Sequence, residues 1–260
     1  MTGQGAPILQ SHLPFTPWSD PGLARMPGMV PVEGNWIVVD DAYARQMALR
    51  RRLLNDRPDD VLHQLPQSGP AVEDLREVVL AALPEGFART EASIRCPDGV
   101  EVATGGDALK MLGRLLQEDL LLLLPDGGEH VLVAGLLCFP ASWTLAEKIG
   151  RPLTRIHAPV PDYDTGLATR VQRMFDRLPA GRAMWRANAL GYADAALHQP
   201  HREATPREDG DPVRYLRCER QTVLRLPRTG ALLFAVHTYV VTPDRLTDVQ
   251  RAGCPIIFGE

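Results

Sequence analysis

The chain has 260 residues, 45% of them apolar and 23% charged, an ordinary composition for one large globular domain or a domain with appendages. With 28 Lys and Arg against 32 Asp and Glu the net charge is −4, so the basic footprint expected of a nucleic-acid-binding protein is missing. Cys96, Cys138, Cys218 and Cys254 stand far apart with no CxxC pair, which argues against a zinc ribbon or a four-cysteine iron–sulfur site and fits reduced thiols in the cytoplasm.

Residues 1–35 are rich in Pro and Gly and show no period. They read as an N-terminal arm anchored by Phe15, Trp18 and Trp36, with neither the basic region nor the apolar core of a signal peptide. A single domain is expected over 36–250, with a tail at 251–260. Residues 40–55 read as an amphipathic helix with acidic residues at its start. Val72, Leu75, Val78, Val79 and Ala82 give a second helix over 70–83, ended by Leu83-Pro84. Pro97-Asp98-Gly99 turns a strand pair at 93–96 and 100–104. A helix over 106–120 leads into the apolar run Leu120–Leu124, too short to cross a bilayer, and Asp126-Gly127-Gly128 returns the chain as a strand over 130–137. Further on, a helix is expected over 165–178, an extended segment over 183–190 and a loop over 198–212. Two long strands, 213–226 and 231–241, are joined by Pro227-Arg228-Thr229-Gly230. Hairpins with helices inserted between them predict an α+β domain, an antiparallel sheet with helices on one face.

The densest chemistry lies at 138–163. Thr144-x-x-Glu147 has the form of a capping box, Lys148 sits in the last turn and Gly150 at the stop position, so a short helix over 144–149 is expected with Trp143 at its start. Seven residues later comes His157, followed by Pro159 and Pro161, each of which locks its own φ and restricts its predecessor. A histidine held this way suits an axial metal ligand and equally a structural hydrogen bond to a carbonyl. On the strand 213–226, Arg220 is the single charge on the face shared by Leu216, Cys218, Thr222, Leu224 and Leu226. A buried guanidinium needs an anion, either a protein carboxylate or one on a ligand. On the strand 231–241, His237 is a second candidate ligand, and periodicity alone does not choose between it and His157. His198 and His201 fall in a polar loop. Phosphate loops, HExxH and GxSxG are all absent from the sequence.

Three separated segments, QEDLLLLL at 117–124, FPASWTLAEKIGRPLTRIHAPVPDY at 139–163 and RCERQTVLRLPRTGALLFAVHTYV at 217–240, resemble the haem-dependent oxidative N-demethylases. The resemblance covers roughly residues 15–245. It implies a PAS-like sheet that carries a b-type haem with a histidine axial ligand. It implies oxidative removal of a methyl group from a secondary amine such as dimethylamine, with O2, giving a primary amine and formaldehyde. Electrons would come from NADPH through separate FMN-containing and iron–sulfur reductase components, and neither nucleic acid nor a membrane would be a partner. His157 is then the expected iron ligand, and Arg220, Lys148 and Arg225 the candidates for propionate pairing. Trp143, Tyr163 and Glu219 are the residue types that would meet a small alkylammonium, as would Tyr239. Arg186-Ala187-Asn188-Ala189-Leu190 departs from the family by lacking a Trp after the Asn. A haem-binding sensor without turnover is the alternative, and an amine-binding module without haem a third reading.

Overall fold

The structure, a computed structural model, describes residues 6–23, 28–159, 163–206 and 210–259. In chain order, β1 (Val30–Pro31) precedes α1 (Tyr43–Asp56), α2 (Pro58–Val61), β2 (Leu62–Gln64) and α3 (Gly69–Ala82). Next come β3 (Ala88–Arg89), β4 (Ser93–Arg95), β5 (Glu101–Ala103), α4 (Ala108–Leu115), β6 (Asp119–Asp126) and β7 (Glu129–Leu136). Three helices, α5 (Leu145–Lys148), α6 (Leu153–Ile156) and α7 (Thr165–Arg177), lead to β8 (Ala183–Ala187) and β9 (Leu190–Tyr192). The long strands β10 (Tyr215–Arg225) and β11 (Leu232–Val241) follow, and then α8 (Asp248–Gly253).

The main sheet is antiparallel and runs β1-β8-β10-β11-β6-β7-β2, with β9 pairing the other half of the β10 edge. A small sheet, β3-β4-β5, stands apart. The architecture is α+β, as expected, but the helices cover both faces rather than one. Leu120, Leu122, Leu233 and Ala235 pack on one side with residues of α1, α3 and α4. Leu121, Leu123, Val223 and Leu232 pack on the other with residues of α5, α6 and α7. The cause is the unbroken leucine run of β6: successive side chains point to opposite faces, so both faces are apolar and both need cover. At Gly135 on β7, an added Cβ would lie 2.6 Å from Leu145 Cδ1, so glycine is what lets α5 sit this close to the sheet.

The β10–β11 turn is held from outside. Asp74 Oδ2 on α3 accepts the backbone N–H of Arg228 at 3.0 Å and of Thr229 at 2.7 Å, and the Thr229 hydroxyl at 2.8 Å. α4 ends five residues before the predicted boundary. The chain leaves the helix so that Gln117 and Glu118 can accept the N–H groups of Asp40 (3.1 Å) and Val38 (2.8 Å). The N-terminal segment joins the domain: Gln10 exchanges hydrogen bonds with Val240 beyond the end of β6, Leu13 is buried, and Val30–Pro31 pairs with β8. At the other end, Cys254, Ile256 and Phe258 pack against the cluster around Leu13 and Leu216.

Candidate functional site

The face of the sheet toward α6 and α7 holds a cavity of about 1070 Å³. That is at the upper end of the range for small-molecule and cofactor sites. Its sheet wall is apolar where β6, β10 and β11 contribute Leu121, Leu123, Val223, Phe234 and Val236. Polar groups enter at one end, from β8, β10 and the segment 143–163. Of the candidates read from the sequence, Trp143, Lys148, His157, Tyr163 and Glu219 all line it.

His157 is presented differently from the proline-pinned loop that was expected. It is the residue that ends α6, and its Nδ1–H donates to the Leu153 carbonyl at 2.9 Å. With Nδ1 carrying the proton, Nε2 keeps its lone pair, which is the tautomer a metal-ligating imidazole adopts when a backbone carbonyl orients it. Burial lowers its pKa, the Leu153 carbonyl opposes this, and the charges of Lys148 and Arg186 lower it further, so the ring is neutral at physiological pH. Tyr163 stacks on the imidazole, with centroids 4.2 Å apart and planes 16° from parallel. Pro161 and Asp162 lie outside the described residues.

The α5 start also differs from expectation. Thr144 Oγ1 donates to the Glu147 carboxylate at 2.5 Å instead of accepting a backbone N–H, so the capping box does not form. Glu147 turns outward to accept the N–H of Glu203. Lys148 lines the cavity, but its ammonium donates to the Ile156 carbonyl at 2.8 Å and to the Glu203 carboxylate. Arg155 adds a bond to Glu203 at 2.9 Å, and the two cations hold that carboxyl down at about 2. Lys148 therefore ties α5 to the end of α6, next to His157, and to the loop that follows β9.

Glu219 occupies a break in the sheet. The β10 edge pairs with β8 at residues 220–224 and with β9 at 215–217, and Asn188 bridges the gap. Its Oδ1 accepts the Glu219 N–H at 2.8 Å, and its N–H donates to the Glu219 carbonyl at 3.2 Å. The Asn188 and Gln221 amides both donate to Glu219 Oε2, at 3.0 and 3.1 Å. Oε1 has one long contact, 3.5 Å from Arg217, and so keeps acceptor capacity toward the cavity. Arg186, on β8, also lines the cavity. Burial depresses its pKa, with Glu219 opposing, and among the described residues its buried Nε has no hydrogen-bond partner and no carboxylate is within ion-pair distance.

Four candidates, Arg225, Arg220, His237 and Tyr239, lie elsewhere. Arg225 donates to the carbonyls of Phe175, Leu178 and Gly230, so it ties the end of α7 to the β10–β11 turn. Arg220 and His237 are on the opposite face of the sheet. Arg220 donates to the Trp36 carbonyl at 3.0 Å and lies over the Trp185 ring. His237 is 1% exposed, with Nε2 3.1 Å from Asp40 Oδ2 and Nδ1 3.2 Å from Glu118 Oε1, so both ring nitrogens are already engaged and neither is open to a metal.

Burial alone would push the His237 pKa down, but its bonds to Asp40 and Glu118 and their charges prevail and raise it from 6.5 to about 9. For Asp40, burial pulls upward and His237 outweighs it, leaving about 2 against 3.8. The cluster therefore stabilises the fold in full between 3.8 and 6.5. Its contribution fades as pH rises from 6.5 through 9, or falls from 3.8 through 2. Urea unfolding should show wild-type stability falling by a few kcal/mol across the alkaline window, a slope that His237→Asn lacks. The same slope in both proteins would contradict the assignment.

Sequence reasoning missed Arg186 as a cavity cation, Asn188 as the bridge that places Glu219, and Glu203 as the partner of Lys148. Arg186 and Asn188 do sit in the one segment where the chain departs from the resemblance, which was a usable signal. Among the described residues no group of three His, Cys, Asp or Glu is arranged to hold a metal ion. His201 also lines the cavity, but its Nε2 is 2.8 Å from the Thr205 carbonyl, which leaves His157 as the histidine that suits an iron whose other ligands come with a macrocycle. Among the described residues, no helix is long and apolar enough to cross a membrane. The family model described as haem-dependent oxidative N-demethylase, alpha subunit-like, matches residues 31–255, and the chain belongs to that family of haem-dependent oxidoreductases.

Proposed function

We propose that the cavity binds haem b through Nε2 of His157 and that the chain carries out oxidative N-demethylation of a small secondary amine, dimethylamine or a close relative. The observation that carries this reading is the His157 tautomer: Nδ1–H is committed to the Leu153 carbonyl, and Nε2 is left for a metal on the wall of a cavity of about 1070 Å³. Bound haem would supply the O2 chemistry, which no side chain of the cavity can perform. Arg186, which has no carboxylate within ion-pair distance among the described residues, would hold an anionic group such as a propionate, in the role expected of Arg220. Lys148 holds the α6 end and so orients His157.

The remaining residues act on the amine. Glu219 Oε1 accepts from the alkylammonium, and the faces of Trp143 and Tyr163 complement its charge while the leucine wall excludes water. The reading extends to electrons drawn from NADPH through FMN-containing and iron–sulfur reductase components, and to a PAS-like origin of the sheet. The four free cysteines suit a reducing cytoplasm.

The test is formaldehyde release. Haem-loaded protein supplied with dimethylamine, O2 and a competent flavin and iron–sulfur reductase should release formaldehyde and methylamine in equal amounts. Haem binding with no formaldehyde from dimethylamine or other small N-methyl amines would contradict the catalytic reading and leave a sensor.

A further inference from the structure

β10 presents consecutive residues to opposite faces, so Glu219 points into the cavity described above and Arg220 to the other side of the sheet. There Arg220 helps to line a second, open bowl of about 620 Å³, between the N-terminal arm and Trp185, Arg220 and Tyr239 of β8, β10 and β11. We propose that this bowl is a binding site for a flat aromatic carboxylate, with the ring against Phe15, Trp185 and Tyr239 and the carboxylate on the Arg220 guanidinium.

The walls are aromatic and already ordered by one another. Phe15 meets Trp185 edge-on at 5.5 Å and Tyr239 at 5.2 Å. Val38 completes the apolar lining. Such walls match a planar ring, which can stack or meet them edge-to-face. The Arg220 guanidinium lies 5.1 Å from the Trp185 ring centroid and makes one hydrogen bond among the described residues, to the Trp36 carbonyl. Burial lowers its pKa against the opposing pull of Tyr239 and Glu118, and among the described residues no carboxylate is within ion-pair distance. With one of its five N–H groups used, the guanidinium can still bind a carboxylate in a fork. Asp20 also lines the bowl, but its Oδ1 accepts the Gly22 N–H at 2.8 Å and it forms no ion pair with Arg220. Among the described lining residues, one cation, Arg220, is opposed by one carboxylate, Asp20, which favours a monoanion over a phosphate dianion that would want a second positive charge. The aromatic lining disfavours a small hydrated anion, which would leave those walls wet. The volume is that of a site for a small molecule.

Calorimetric titration of the full chain with indole-3-carboxylate tests this, with indole and inorganic phosphate as controls. The expected result is saturable binding of the aromatic acid, weaker by about tenfold or more for either control and for Arg220→Gln. Because Arg220 also bonds the Trp36 carbonyl, the second variant is Ser19→Trp on the exposed rim, which fills the bowl and should weaken binding by a similar factor without changing the thermal midpoint. No saturable binding in the millimolar range, unchanged binding in Arg220→Gln or Ser19→Trp, or phosphate binding as tightly as the aromatic acid would each overturn the proposal.

Discussion

Asp119→Ala should lower the free energy of unfolding by about 3–5 kcal/mol, the largest stability effect expected of a single substitution in this chain. Asp119 is 1% exposed and its carboxylate has three partners: Arg50 at 2.6 Å and the backbone N–H groups of Cys138 and Phe139 at 2.7 and 2.9 Å. Arg50 is fully buried on α1, with its guanidinium 5.1 Å from the centroid of the Phe139 ring. Removing the carboxylate leaves that guanidinium without its counter-ion in the interior and two backbone donors without acceptors, and both are costly. The effect has a functional side, because residues 138–139 lead into Trp143 and α5, and Asp119 and Phe139 line the cavity themselves. Asp119→Asn keeps the size and part of the bonding and should cost less. Denaturant unfolding measures both, and a loss under about 1 kcal/mol for the alanine variant would contradict the role given to the pair.

Glu219→Gln should reduce kcat/KM for a secondary amine by about ten- to a hundredfold, the loss expected when a charged hydrogen bond to an ammonium is replaced by a neutral one. The substitution preserves shape, and the Glu219 N–H and carbonyl bonds to Asn188 do not involve the side chain. The fold and the other cavity contacts should therefore survive. If Glu219 only binds the ammonium, KM rises while kcat holds; if it also assists the reaction, kcat falls too. An unchanged kcat/KM with a cationic amine would remove Glu219 from the substrate site.

The long elements were legible because their patterns are local. The apolar spacing of α3 and α7 and the turn residues of the β6–β7 and β10–β11 hairpins needed no tertiary information. The short helices α2 and α6 span four residues each, too few for a period to show, so the helix that carries His157 was read as a loop. The site was half legible for a physical reason. On β10 the face with Arg217, Glu219 and Gln221 looks polar and the face with Leu216, Cys218 and Leu224 looks like core, so Arg220 stood out as the buried charge. In the folded chain Arg217 is 1% exposed, donating to the Leu197 and Phe139 carbonyls, and Glu219, on the cavity wall, is 8% exposed, because buried polar side chains and a solvated face have the same alternation. His237 misled for a related reason. Its carboxylate partners Asp40 and Glu118 come from segments far away in sequence, and only the fold shows that both ring nitrogens are already engaged.

The most direct test of the central claim is the absorption spectrum of protein expressed with added haem precursor, wild type beside His157→Ala. A strong Soret band in the wild type that is lost or shifted in the variant is the predicted result, since Nε2 of His157 would be the iron's protein ligand. No band in the wild type, or a band unchanged by the substitution, would contradict it.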